Sequence, residues 1–319
     1  MRAVCVTGLT GPSDLQAVDI EAPVRGPDET LVEVRAVAPA FPDLLMTQGK
    51  YQVKPDLPFS PGSDFAGVVV EASDSTEFSP GDRVAGCLSY GAAAEFLSVP
   101  NDRLYPLPAA MPFADGAAIP MNYLTAHFSL VTRGGLAPGD WVMVLGASGG
   151  VGLASIQVAA GLGARVIAVV SSAERAAAAL KAGAHHAVLR NEVPGTVRDL
   201  TGGRGVDIVV DVVGGDMTNA LRALAPFGRV MVVGFASGEI PTVKVNRLLL
   251  TNTDVRGVES DYLWQQGLSR KAWDELMTLA EAGYIKPTVR EGGSLNDYGP
   301  ALERLSARSV VGRIVLSLS

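Results

Sequence analysis

The sequence is short of the side chains that most often carry chemistry alone. Of its 319 residues, two are cysteine and three are histidine. Two cysteines cannot build a four-cysteine structural zinc site, and Cys5 and Cys87 lack the close spacing of a metal motif. They are expected to be reduced thiols in a cytosolic core rather than a disulfide. His127, His185 and His186 are expected to be packing or surface residues. Charged residues make up only 18% of the chain, and the net charge is −7. Without a basic surplus, neither nucleic acid nor an anionic membrane is the expected main partner. No apolar run reaches the ~18 residues that a membrane-spanning helix needs. No basic segment leads into an apolar one at the start. The expected location is the cytoplasm, with no membrane association. There is no internal repeat and no low-complexity tract.

What the chain has in quantity is apolar surface, 48% of residues, and length enough for about two domains. Residues 1 to 120 read as mostly β. Leu31-Val32-Glu33-Val34-Arg35 alternates with period two, and short runs at Phe65–Val70, Arg83–Cys87 and Val99–Leu107 are punctuated by Gly and Pro. From about Pro120 the pattern becomes strand and helix in alternation. Strands are expected at Val142–Leu145, Arg165–Val170, Ala187–Leu189, Ile208–Asp211, Arg229–Val233 and Val255–Gly257. Helices are expected between them, among others at Leu153–Leu162, Ala173–Ala182 and Met217–Leu224. Six strands with helical crossovers make a parallel sheet covered on both faces. Beyond Asp261 two helices, Lys271–Gly283 and Gly299–Ala307, precede a last strand, Gly312–Leu318, expected to rejoin the first domain.

The chemistry is concentrated at Trp141–Gly152, WVMVLGASGGVG. An aliphatic strand stops at a glycine cluster, and a run of small residues that favours a helix follows at once. Strand, glycine turn and helix form the start of a doubly wound dinucleotide-binding sheet. Backbone N–H groups at the helix start face a pyrophosphate, and glycine lets the backbone approach it closely. The spacing Gly146-x-x-Gly149-x-x-Gly152 is one residue wider than the usual G-x-G-x-x-G. The expected pyrophosphate contacts are Gly146, Ser148, Gly149, Gly150 and Val151. Val213 follows the fourth strand of the sheet, at the end where cofactors lie in such sheets.

Several further pieces carry a resemblance. In order they are Phe41-Pro42-Asp43 with Gly49-Lys50-Tyr51, Pro58-Phe59 with Pro61-Gly62-Ser63-Asp64-Phe65-Ala66-Gly67-Val68, and Gly81-Asp82-Arg83-Val84. Then come Thr125-Ala126, Gly149-Gly150-Val151-Gly152, Thr201-Gly202-Gly203-Arg204-Gly205-Val206-Asp207, Val233-Gly234-Phe235-Ala236-Ser237-Gly238 and Gly312-Arg313. Each is weak alone; their order and spacing along nearly the whole chain are specific. The chain resembles a zinc-independent medium-chain dehydrogenase/reductase, most closely the quinone oxidoreductase branch. The resemblance implies an α/β protein with a GroES-like β-rich domain, residues 1–121 and 264–319. That domain is interrupted by a doubly wound parallel Rossmann sheet, residues 122–263.

The zinc-dependent cousins carry cysteine and histidine where this chain has Ala40 and Ser63. Neither residue ligates zinc, so no metal is expected. The quinone branch usually has Asn at the Ala40 place, near the nicotinamide. Tyr51 remains as the polar candidate for the catalytic group, with a packing aromatic as its alternative. The resemblance also implies Thr125 against the nicotinamide and the backbone of Gly234 and Phe235 near its carboxamide. Arg313 could reach a phosphate or be a surface arginine.

Cofactor choice is read from the second strand of the sheet. NAD-binding domains present Asp or Glu at its tip, to bond the ribose 2′-OH. Here Val169-Val170 runs into Ser171-Ser172. Ser171 and Ser172 hydroxyls can donate to a 2′-phosphate, although Ser172 can equally cap the next helix. The family often has Lys at the Arg175 place and Tyr at the Arg190 place; this chain has Arg at both, suited to bidentate phosphate contact. NADPH (NADP+) is the expected cofactor. The expected activity is reduction of a small-molecule quinone or enone (an α,β-unsaturated carbonyl) by a homodimer. An enoyl-thioester reductase of the same fold and a non-catalytic NADPH-binding protein are the alternatives.

Overall fold

The structure is a computed structural model and describes residues 1–193 and 195–318. The chain begins with β1 (Arg2–Cys5), β2 (Gln16–Asp19), β3 (Glu29–Ala38), α1 (Phe41–Thr47), β4 (Asp64–Glu71), β5 (Arg83–Cys87), β6 (Phe96–Pro100), β7 (Leu104–Pro106) and α2 (Phe113–Ala118). Next come α3 (Pro120–His127), β8 (Trp141–Leu145), α4 (Gly150–Gly161), β9 (Arg165–Val170), α5 (Ala173–Lys181), β10 (His186–Leu189), α6 (Gly195–Leu200) and β11 (Val206–Asp211). They are followed by α7 (Met217–Ala223), β12 (Leu224–Val232), α8 (Asn246–Thr251), β13 (Asp254–Gly257), α9 (Tyr262–Gln265) and α10 (Ser269–Glu281). The chain closes with β14 (Val289–Glu291), α11 (Tyr298–Ser306) and β15 (Arg313–Ser317). Two compact units result, Met1–Met121 with Pro287–Ser319, and Asn122–Lys286.

In the first unit the strands run in the order β14-β15-β3-β4-β5-β7, with β6 also paired to β3. The ten-residue β3 alternates between buried and half-buried positions, as its period-two sequence requires. The last strand rejoins this unit, since β15 pairs antiparallel with β3. Val32, Phe65, Val84, Val99, Tyr298, Leu302 and Leu316 are fully buried in its core. Each buried aliphatic or aromatic side chain here contributes about 1.5–3 kcal/mol relative to exposure. Val99–Leu107, expected as one strand, is divided. β6 pairs with β3 and β7 with β5, so the chain must turn between them at Asn101–Arg103. Pro100, with no N–H to continue a ladder, ends the first piece. The Asn101 amide holds the turn, accepting from the Thr30 hydroxyl at 2.8 Å and donating to Ser73 Oγ at 2.8 Å.

The expected β character of residues 1 to 120 overlooks α1 and α2. Both are too short to show a helical period. α1 starts at a Pro in its first turn, where the missing N–H costs nothing. Asp43 caps it, accepting the Ala40 N–H at 2.7 Å. That carboxyl, 0% exposed, also accepts the Ser63 hydroxyl at 3.1 Å and the Tyr298 hydroxyl at 2.9 Å. It thereby joins α1, the start of β4 and α11. Beside it Asp64, also 0% exposed, accepts the Met121 N–H at 2.8 Å and is ion-paired with Arg313. Burial raises the pKa of Asp43 against the pull of these donors and of Arg313. Burial likewise raises Asp64 to about 6, with Arg313 opposing.

The second unit is a six-stranded sheet in the order β10-β9-β8-β11-β12-β13, every pair parallel. Its central strands are continuous apolar runs. Val142, Met143 and Val144 of β8 and Ile208, Val209 and Val210 of β11 are all 0% exposed, as a sheet covered on both faces demands. The sequence reading returns the chain to the first unit at 264, whereas α9 and α10 lie in the second. The physical tie is Gln157 of α4, which donates to the Lys286 carbonyl at 2.8 Å and accepts the Lys286 N–H at 2.9 Å. The chain is held to this unit as far as that bond.

The Asp43 cluster yields a direct test. Tyr298→Phe removes one donor from a buried carboxyl, and stability should fall by about 1.5–3 kcal/mol. The measurement is the urea midpoint at unchanged slope. An unmoved midpoint would show that Ser63 and the Ala40 N–H satisfy Asp43 without the phenol.

Candidate functional site

The strand order of the second unit reverses between β8 and β11, which makes a crevice beyond the carboxyl ends of those strands. At that point β8 ends and the chain turns at Gly146, whose φ of 71° is left-handed. A Cβ on Gly146 would lie 2.6 Å from Val213 Cγ2, so the turn and the loop after β11 are in contact. A Cβ on Gly152 would lie 2.3 Å from the Gly146 carbonyl oxygen. Helix α4 therefore packs against the turn at a distance only glycine allows. Gly149 is different. A Cβ there meets nothing closer than 3.6 Å, so the space above the turn is open.

Helix α4 starts at Gly149 with no side-chain cap and no acidic residue in its first turn. Its leading N–H groups and positive dipole end are left for an anion. Open space over Gly149 and an uncapped twelve-residue helix together fit a pyrophosphate. Ser148 in the turn is 5% exposed and accepts from Arg175 Nη1 at 2.7 Å.

The loop after β11 is set by Asp211, 1% exposed, whose Oδ1 accepts the N–H groups of Val213 and Gly214, both at 2.9 Å. Burial raises its pKa, opposed by those two N–H groups and by Arg190. The loop after β12 lies alongside. Gly234 N–H donates to the Asp211 carbonyl at 3.4 Å and Ser237 N–H to the Val213 carbonyl at 2.8 Å. A Cβ on Gly214 would meet the Phe235 ring at 3.0 Å.

At the tips of β9 and β10 is a cavity of about 430 Å³, lined by Ser171, Leu189, Arg190, Asn191, Val193, Asp216 and Asn219. Ser171 and Arg190, expected together at a 2′-phosphate, do share this cavity. Ser172 is the N-cap of α5, accepting the Arg175 N–H at 3.3 Å. Arg175 itself is bonded to the glycine turn through Ser148, and it is not among the residues lining the Ser171–Arg190 cavity. Asp216 and Asn219 were not anticipated. The available signal was Asp216 as an N-cap just before the helix expected at Met217. Its carboxylate is engaged locally, accepting the Asn219 N–H at 3.1 Å.

Thr125, 7% exposed, lies on α3. Tyr51 belongs to the first unit and packs on a cluster of Val6, Met46 and Phe59. The reading of Arg313 as a phosphate ligand needs correction. Arg313 is 8% exposed inside the first unit, where Nη2 donates to the Ala38 carbonyl at 3.0 Å and pairs with Asp64. A buried carboxylate competes for the guanidinium that a surface arginine would keep free. Ala40 and Ser63, expected at the metal places of the zinc-dependent cousins, are both bonded to Asp43. Among the described residues no group of three or more His, Cys, Asp or Glu is positioned to hold a metal ion.

Comparison with known proteins agrees with this architecture. Residues 26–109 match the alcohol dehydrogenase GroES-like domain and residues 150–281 the zinc-binding dehydrogenase domain. The chain is 36% identical over 324 residues to the quinone oxidoreductase-like protein 2 of Bos taurus, covering 99% of this chain and 92% of that protein. A probable oxidoreductase from Mycobacterium abscessus superposes with a TM-score of 0.91 at 37% identity, over 100% of this chain and 99% of the other. A mycobacterial protein solved in complex with NADPH superposes at 0.92 with 32% identity, over the whole of both chains. With a likeness that runs from end to end, the protein belongs to the medium-chain dehydrogenase/reductase family, in its quinone oxidoreductase branch, and is an oxidoreductase.

Proposed function

We propose that the protein is an NADPH-dependent reductase of quinones or α,β-unsaturated carbonyls, working by direct hydride transfer without zinc. The observation that carries the cofactor choice is Ser171 and Arg190 lining one cavity at the strand tips, where the one carboxylate, Asp216, caps α7 and none stands at the end of β9. A ribose 2′-phosphate needs hydroxyl and guanidinium donors at that place, and a tip carboxylate would repel it. The NADPH complex of the mycobacterial neighbour supports the same choice. The substrate class rests on the quinone oxidoreductase-like relative. The metal-free reading rests on Ala40 and Ser63, which have no zinc-binding chemistry.

When bound, NADPH supplies a hydride from its nicotinamide ring. The chain's own work is binding and orientation, a contribution of several kcal/mol when donor and acceptor are held in register. The N–H groups of Gly150 and Val151 at the start of α4 would hold the pyrophosphate, with Gly146, Ser148 and Gly149 shaping the turn. Arg175, fixed on Ser148, adds positive charge at that turn. Val213, Gly234 and Phe235, in the loops after β11 and β12, would hold the nicotinamide end, with Thr125 beside it. Tyr51 or a ribose hydroxyl of the cofactor would donate to the charge that develops on the substrate oxygen.

For assembly, we infer a homodimer. β13 is an edge of the sheet, and the neighbouring Val245, Leu249 and Leu250 are each more than 70% exposed. A second copy meeting the first at β13 would cover both the unpaired edge and these side chains.

Three outcomes are expected. NADPH should bind at least about tenfold more tightly than NADH, 1.4 kcal/mol. Arg190→Ala should remove most of that difference and Ser171→Asp reverse it, as measured by titration of cofactor fluorescence. Equal losses for both cofactors would refute the assignment of the cavity. Deuterium carried on the transferring position of NADPH should appear on carbon in an enone product, at a rate that chelators leave unchanged. Reduced product without deuterium, or loss of activity on chelation, would overturn the mechanism. Sedimentation at micromolar concentration should give twice the chain mass; a monomer there would exclude the dimer.

A further inference from the structure

A further polar group is buried close to the glycine turn. Asn122, on α3, is 3% exposed, and its Nδ2 has no hydrogen-bond partner. A buried amide without a partner is destabilising, so its presence calls for a reason. Its position supplies one. A Cβ on Gly150 would lie 2.7 Å from Asn122 Nδ2 and 3.1 Å from its Cγ and Oδ1. The amide therefore lies against the first residue of α4, the uncapped end already described.

That position is held firmly. Tyr123, next to Asn122, donates its hydroxyl to Gln157 Oε1 of α4 at 2.8 Å, both residues being 3% exposed. Gln157 is in turn bonded to the backbone of Lys286 on both sides. Asn122 therefore has a set distance from the start of α4. Thr125 follows one helical turn later, on the same face of α3.

The structure assigns Asn122 as a further binding residue: its buried, unpartnered Nδ2 beside Gly150 donates to an oxygen of the cofactor pyrophosphate. The assignment rests on the dinucleotide reading of the glycine turn. Nδ2 is closed to solvent in the free protein, so binding satisfies the unmet donor by turning the Asn122 amide toward the glycine turn. Since the pyrophosphate is common to NADPH, NADH and ADP-ribose, Asn122 serves all three alike. In this it differs from Arg190, which serves only the 2′-phosphate.

The test is a pair of variants, Asn122→Leu and Asn122→Asp. Leu is close in size and removes the unmet donor. The free Asn122→Leu protein should melt at or above the wild-type temperature while binding NADPH, NADH and ADP-ribose about tenfold more weakly, 1.4 kcal/mol. Asn122→Asp, which places a carboxylate at the same point, should lose more than tenfold for each. A residue needed only for packing would show the opposite, a lowered melting temperature with unchanged dissociation constants, and that result overturns the assignment. So does a loss confined to NADPH, which would locate Asn122 at the other phosphate. If Asn122→Leu fails to fold, the dissociation constants of Asn122→Asp decide alone. A wild-type protein that binds none of the three ligands overturns the dinucleotide reading and this assignment together. A wild type that binds, with variants that bind equally well, overturns only the assignment of Asn122.

Discussion

The constraint on which the second unit depends is the distance between the turn after β8 and the helix that follows it. Helix α4 can lie over the end of β8 only if Gly152 carries no side chain, because its Cβ would enter the backbone at Gly146 and Ala147. Gly146 must take a left-handed conformation to make the turn, and it too must be bare, against Val213. These two requirements direct the start of α4 at open space over Gly149. The same close packing that stabilises the unit therefore creates a helix end that nothing in the chain caps. An anion is what such an end is suited to receive.

The sheet order then decides which other residues stand near that end. Parallel strands place all their loops to the following helix on one side. The reversal between β8 and β11 brings the Asp211 loop against the glycine turn. Asp211 is a buried carboxyl whose work is structural, since two backbone N–H groups of its own loop hold it. Asp216 is also committed locally, as the cap of α7. The cavity at β9 and β10 thus contains a carboxylate that is already bonded within its own helix. Arg190 and Ser171 line the same space.

In the first unit the corresponding constraint is a buried cluster of two carboxyls and one guanidinium. Asp43 binds α1 to β4 and α11, and Asp64 joins β4 to β15 through Arg313. Removing either charge partner would leave the other uncompensated in a medium where that is costly. Ala40 and Ser63 fall inside this cluster, one giving its backbone N–H to Asp43 and the other its hydroxyl.

Much of this was legible in the chain itself. The alternation of β3, the apolar runs of β8, β9 and β11 and the glycine turn are local patterns with fixed periods, so they could be read without knowing what they touch. The resemblance built on Gly149–Gly152, Ser63–Asp64 and Gly312–Arg313 extended that reading to the whole fold. Local pattern did not reveal α1 and α2, each shorter than the window in which a helical period shows. Nor did it separate β6 from β7, whose division depends on which strand each one pairs with. The partners of long side chains were decided only by tertiary structure. Arg175 and Arg190 look equivalent in sequence, yet one is bonded to Ser148 and the other lines the cavity with Ser171. Arg313 is claimed by a carboxyl far away in sequence, and Asn122 gains its meaning only from lying against Gly150. Backbone conformation is set by neighbours along the chain, whereas the environment of a polar group is set by whatever the fold brings to it.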